Sequence, residues 1–206
     1  YLSIRQKNSD YLFYLANLCG VLLRSGKYNI ALKLMSSSIP DLKKTNSFYN
    51  KIGFASFYIK TLVYNKMGKN AVSYASTFLD AYKKEIFATR WHLFFAAYVQ
   101  ALLSAEKYSR LLAVAKRYNL LALEKKFIDK TVYMPVLLWH NEVALYMEGR
   151  QSKEKLEETI YTSASVLLQN KYKAGRINEL LDNLSESIPS EIAVIRSRLN
   201  LKPERA

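Results

Sequence analysis

The chain has 206 residues, half of them hydrophobic and 23% charged, so it can bury a sizeable core and is too apolar to remain disordered. Six Gly and four Pro are too few for an all-β sandwich or barrel, which needs a turn signal about every ten residues. The formal charge of +14 is uneven: residues 1–100 hold 14 Lys+Arg against 4 Asp+Glu, and residues 101–206 hold 17 against 13.

Taken in chain order, the apolar residues fall at helical spacing. Leu12, Leu15, Ala16, Cys19, Leu22 and Leu23 make the first stripe, with Ser9 or Asp10 able to cap it and Gly26 ending it. A second helix carries Tyr28, Ala31, Leu32, Met35 and Ile39 and stops before Pro40. The third runs from about Ser47 through Phe54, Phe57, Tyr58, Thr61, Leu62 and Asn65, with Gly68 closing it. The fourth shows Ala71, Tyr74, Ala75, Phe78 and Tyr82, the fifth Trp91, Phe94, Phe95, Tyr98 and Leu102, and the sixth Tyr108, Leu111, Leu112 and Ala115. Pro135 suits the first turn of a seventh, whose stripe is Val136, Trp139, His140, Val143, Ala144 and Met147 and which ends at Gly149. Ser152 caps an eighth with Leu156, Ile160, Ala164 and Leu167; Ile177, Leu180, Leu181 and Leu184 mark a ninth. A short tenth follows Pro189, capped by Ser190.

The punctuation between helices recurs. Gly26-Lys27-Tyr28, Gly68-Lys69-Asn70, Glu106-Lys107-Tyr108 and Gly149-Arg150-Gln151 are spaced 42, 38 and 43 residues apart, each with a basic residue second. A period near 40 marks stacked helix pairs, since one pair cannot bury both its faces. The expected fold is all-α, with about nine or ten helices in one domain over 1–206. Its units cover approximately 8–40, 45–84, 86–127 and 132–168, and capping helices lie at 170–200, where Gly175-Arg176-Ile177 echoes the turn. The run Leu15, Leu18-Cys19, Leu22, Gly26-Lys27-Tyr28 and Ala31 resembles a tetratricopeptide repeat, with Cys19 and Ala31 as the small residues where two helices approach closely. In the later units the Cys19 position becomes Thr61, Val99 and Glu142, and the Ala31 position Ser73, Leu111 and Glu154. The period also exceeds the family's, which is about 34. The resemblance implies a right-handed array of antiparallel helix pairs, a tetratricopeptide-like α-solenoid.

Little in the chain points to chemistry. His92 and His140 have no second ligand at i+3 or i+4, the glycines are isolated, and one cysteine with two histidines is too little for a nucleophile, so no catalytic residue, metal or cofactor is expected. Lone Cys19 makes no internal disulfide, and the longest apolar stretch, Leu93–Leu103, is about half a membrane span. An intracellular, cytoplasmic protein without a membrane span is the expectation.

In tetratricopeptide folds the first helix of each pair lines the concave face. The resemblance places Arg24, Tyr58, Asn65, Lys66, Gln100, Trp139 and Tyr146 in a partner-binding groove whose basic and amide donors suit carboxylates. The expected function is a non-catalytic interaction scaffold for a peptide or protein partner, an acidic one given the basic first half. Nucleic-acid binding through that half is the alternative, and a regulatory or sensor module of a larger protein a third, because the chain begins at Tyr1 without a Met. Lys that merely solvates a Tyr- and Leu-rich surface is the plainer explanation of the charge.

Overall fold

The computed structural model describes residues 10–88, 91–124, 133–169 and 174–201. Ser9 and the side chains of Trp91 and Pro135 lie outside the described residues. Ten α-helices follow one another, with no strand among the described residues: α1 (Tyr11–Arg24), α2 (Tyr28–Ser38), α3 (Phe48–Tyr64), α4 (Gly68–Ala88), α5 (Trp91–Ser104), α6 (Tyr108–Glu124), α7 (Tyr133–Met147), α8 (Lys153–Gln169), α9 (Ala174–Asp182) and α10 (Pro189–Arg198). The all-α class is as expected, and helices packed on their neighbours are compatible with a helical repeat. A 3-10 turn, Ile39–Lys43, takes up the chain after α2 and holds Pro40 in its first turn. Two starts fall where expected, and each is capped: Ser47 Oγ accepts from the Asn50 amide at 3.3 Å, and Ser152, the expected cap, accepts at Oγ from the Lys155 amide at 3.3 Å. Three details differ. Asp10 flanks α1, but its carboxylate accepts from Asn50 Nδ2 at 3.2 Å instead of capping. Ser190 lies inside the first turn of α10, behind Pro189. Gly175 lies within α9 and makes no turn.

The turns correct the expected register. The chain takes left-handed backbone at Gly26, Lys66, Glu106 and Gly149, spaced 40, 40 and 43 residues apart. At three of them the residue after the left-handed one donates its amide five residues back, Lys27 to Leu22, Met67 to Leu62 and Arg150 to Leu145, which satisfies carbonyls orphaned at the helix end. Gly68 therefore closes no helix: it opens α4. A Cβ there would sit 2.9 Å from the carbonyl carbon and oxygen of Ser104, so this glycine permits close approach of α4 to the end of α5. The shifted register also replaces the equivalences. The first backbone hydrogen bonds of the second helices run from Ala31 to Lys27, Ala71 to Met67, Leu111 to Lys107 and Leu156 to Ser152. Ala31, Ala71, Leu111 and Leu156 are all fully buried, whereas Ser73 and Glu154 are exposed. The Cys19 equivalent in the second hairpin is Ile59, not Thr61.

The chain divides into two compact units, Tyr1–Ala105 and Glu106–Ala206, with the boundary between α5 and α6. In the first unit each helix packs on the next, and α1 on α3 and α3 on α5 as well. Its core is aromatic. Phe54, Tyr58, Tyr74, Phe78, Phe94 and Tyr98 form a continuous ladder with ring centroids 4.8–6.3 Å apart. Such pairs contribute about 0.5–1.5 kcal/mol each beyond the area they bury. One polar contact recurs 40 residues on: Ser36 Oγ lies 3.4 Å from Tyr58 Oη, and Ser76 Oγ lies 3.1 Å from Tyr98 Oη. α4 breaks at Tyr82, whose φ of −129° and ψ of 28° are not helical. There the ring meets Phe48 and Phe78, and Lys51 Nζ lies 4.9 Å from the Phe48 centroid and 5.4 Å from that of Tyr82.

In the second unit α6 packs on α7, α7 on α8, and α8 on α9 and α10. Its core is mostly aliphatic, with Val143, Leu156, Ile160, Ile177, Leu181 and Ile195 fully enclosed.

Candidate functional site

The face shared by α1 and α3 gathers cations around aromatic rings. Phe57, Lys60 and Tyr64 are spaced i, i+3, i+7, so they share one side of α3. Lys60 Nζ lies 5.9 Å from the Phe57 centroid, within the range of a cation–π contact. Across from it, Gly20 of α1 lets the ring in: a Cβ built on Gly20 would lie 2.9 Å from Phe57 Cε1 and 3.8 Å from Arg24 Nη1. Lys60 thus lies by a half-buried ring, and the Arg24 guanidinium reaches the same point on α1 that this ring approaches. Next along, Tyr28 stacks on Tyr64 with centroids 5.2 Å apart and planes 16° from parallel. Arg24 and Tyr28 are exposed; Phe57, Lys60 and Tyr64 are half-buried. The unit that carries them has 14 Lys+Arg against 4 Asp+Glu.

The expected groove residues divide. Arg24 belongs to this cluster. Lys66 is exposed at a left-handed turn position. Asn65 follows α3 and is engaged within the fold, its Nδ2 donating to the carbonyls of Tyr28 at 3.0 Å and Thr61 at 2.8 Å. Tyr58 is buried, with its hydroxyl on Ser36. Gln100 is buried too, and its Oε1 has no hydrogen-bond partner among the described residues. Trp139 and Tyr146 belong to the second unit. Trp139 is enclosed, and Tyr146 donates its hydroxyl to Glu191 Oε1 at 3.3 Å. Phe57 stands in the expected stripe of its helix and Lys60 outside it, and neither is among the expected groove residues. A register of 40 would have pointed to both, because Lys60 then takes the place of Gly20 and Phe57 that of exposed Asn17.

The second unit binds its charges to one another. Arg198 reaches Glu158 Oε2 at 2.7 Å and lies 3.8 Å from the Tyr161 centroid. Arg196 pairs with Asp182 and Arg176 with Glu179. Lys153 Nζ lies 3.5 Å from Glu191 Oε1, and Ser109 donates to Glu148 Oε1 at 2.5 Å. The Arg198 guanidinium, with Thr162, holds the Glu158 carboxyl below the usual range; Ser109, with Arg150, does the same for Glu148. Burial raises Glu191, but its own backbone amide, Ser190 and Lys153 together bring it below the usual range. An apolar hollow lined by Pro189, Ile192, Ala193 and Leu201 abuts Arg196, whose head is turned to Asn178 and Asp182.

His140 is packed, donating from Nδ1 to the Val136 carbonyl at 2.6 Å. Burial pushes the Cys19 thiol up to about 11, as suits a core thiol. Among the described residues no three His, Cys, Asp or Glu side chains gather as a metal site would require, and no helix is long and apolar enough to cross a membrane. No protein-family profile, curated protein or solved structure matches this chain.

Proposed function

We propose that this chain is a non-catalytic scaffold of the tetratricopeptide-like kind, a right-handed array of antiparallel helix pairs, that holds an acidic peptide or protein segment. Its carrying observation is the Phe57 ring, with Lys60 Nζ 5.9 Å from its centroid and the Arg24 guanidinium beside the same Gly20 that admits the ring. A guanidinium and an ammonium supply charge-assisted donors to carboxylates, and the rings of Phe57, Tyr28 and Tyr64 offer apolar area between them. The recurring Ser36–Tyr58 and Ser76–Tyr98 contacts support the array, since equal contacts 40 residues apart are what stacked equivalent hairpins produce.

The test is fluorescence anisotropy with labelled Glu/Asp-rich peptides of about a dozen residues, long enough to cross a groove of extended-peptide type. The double variant Arg24→Glu, Lys60→Glu should weaken binding by about tenfold or more while the circular dichroism spectrum stays helical. Unchanged affinity in that variant rejects the cluster as the docking site. Single-stranded RNA serves as the competing probe, favoured by the same charge excess and the interleaved tyrosines. RNA binding that exceeds peptide binding and falls steeply with salt would overturn the protein-ligand reading.

A further inference from the structure

Helix α1 exposes an apolar stripe that its two counterparts bury. Tyr14 is 57% exposed, Leu18 45% and Val21 51%, at i, i+4, i+7 on one side of the helix, with Phe13 beside them at 37%. Moved on by 40 residues, these three positions are Phe54, Tyr58 and Thr61 in α3, then Phe94, Tyr98 and Ala101 in α5. Their exposures are 0%, 8% and 0% in α3, and 0%, 1% and 0% in α5. What covers the stripe is the second helix of the preceding hairpin. α2 reaches Tyr58 through Ser36. α4 reaches Tyr98 through Ser76 and stacks Phe78 on Phe94 with centroids 5.9 Å apart. The covering helices share a pattern, with Ala31, Met35 and Ser36 in α2 answered by Ala71, Ala75 and Ser76 in α4. A contiguous apolar stripe left open in this way is a docking surface by its chemistry, and the interface that runs through α2–α3 and α4–α5 continues onto it.

We infer that the Tyr14–Leu18–Val21 stripe of α1 receives an amphipathic helix of a partner protein, one that presents small side chains and an apolar ring in the pattern of Ala71, Ala75 and Phe78 of α4. This rests on the array reading given above, though not on the acidic-peptide site. The approach is helix against helix, with apolar anchors every turn.

The probe is a labelled, helix-stapled peptide of sequence 68–81, with the staple joining the exposed positions 73 and 77, titrated against the full chain. Binding is expected, and Leu18→Lys should weaken it by about tenfold or more, because it sets a charge where an apolar side chain would be buried. Leu18 already faces solvent, so the variant folds. A peptide with the Phe78 position changed to Asp should bind at least about tenfold more weakly. No binding, or binding indifferent to Leu18→Lys, overturns the inference. So does a concentration-dependent dimer of the full chain that Leu18→Lys dissolves, for the occupant is then a second copy. Failure here with the acidic-peptide site intact leaves the scaffold reading standing; loss of that site with this binding retained removes the acidic ligand alone.

Discussion

The two units use similar helices to different ends. The first is built on stacked rings, sets its left-handed positions Gly26 and Lys66 40 residues apart, and has ten more cations than carboxylates. The second has an aliphatic core, inserts residues after Gly149 before α8 begins, and ties its arginines to carboxylates side by side. A surface whose charges neutralise each other has little left for a ligand, whereas one with a surplus of a single sign generates a field that draws the opposite sign. The aromatic core makes this arrangement workable. Ring stacking and area burial hold the first unit together, with Lys51 set over the Phe48 and Tyr82 rings.

The largest expected effect breaks that core. Phe94→Ala removes a fully buried ring touching Phe78, Phe95 and Tyr98, and should cost about 3–5 kcal/mol by urea denaturation. A loss below about 1 kcal/mol would mean the ladder is decorative, since typical surface changes stay within that range.

Glycine substitutions sharpen the comparison at the turns. Gly68→Ala in the first unit drives a methyl group into the Ser104 backbone and should cost about 1–3 kcal/mol. Gly149→Ala in the second meets no atom within 4 Å but carries a φ of +68°, so about 1–2 kcal/mol of backbone strain is expected. Glu106→Gly reverses the sign, relieving a non-glycine left-handed residue and raising stability by about 1 kcal/mol. Thermal or chemical denaturation of the three variants reads all of these, and equal effects at Gly68 and Glu106 would contradict the assignment of the first as a packing position and the second as a turn.

The smallest effect is on pH dependence, and it belongs to the second unit. Glu148, Glu158 and Glu191 are held below the usual carboxylate range when folded. Their contribution is therefore complete above that range and is lost as pH falls through the lowered folded values. In a Trp91→Phe background, Trp139 fluorescence reports on this unit alone. Its melting temperature should fall between pH 7 and pH ~3, and Arg198→Gln should flatten the dependence in part, because the Arg198 guanidinium is the main cause at Glu158. An identical profile in the variant would show that the Arg198 pair contributes nothing.

Much of this molecule was legible in its residues. Apolar side chains at 3.6-residue spacing set where nearly every helix lies, and Ser47 and Ser152 announced two starts, because helix formation and capping depend on neighbours a few positions away. The period near 40 is visible too, but the second turn lies two residues ahead of the glycine that would mark it. Glycine is the usual mark of a left-handed cap, and by that mark Gly68 is the expected one. The chain instead places Lys66 there, at a strain of about 1–2 kcal/mol, which packing elsewhere offsets. Gly68 stays small for Ser104, a neighbour 36 residues away.

The basic–aromatic site shows the same division. The sequence alone determined an all-helical chain, its approximate repeat length and a first half rich in cations. Only the tertiary structure decided that Phe57 enters the space left by Gly20, that Lys60 lies by its ring and Arg24 beside the same glycine, that Tyr58, Gln100 and Trp139 turn inward, and that α1 keeps a face its counterparts cover. The reason is physical. Local periodicity tells which side of a helix is apolar, but which neighbour that side meets is settled by contacts far apart in sequence, whose geometry no short window of residues contains.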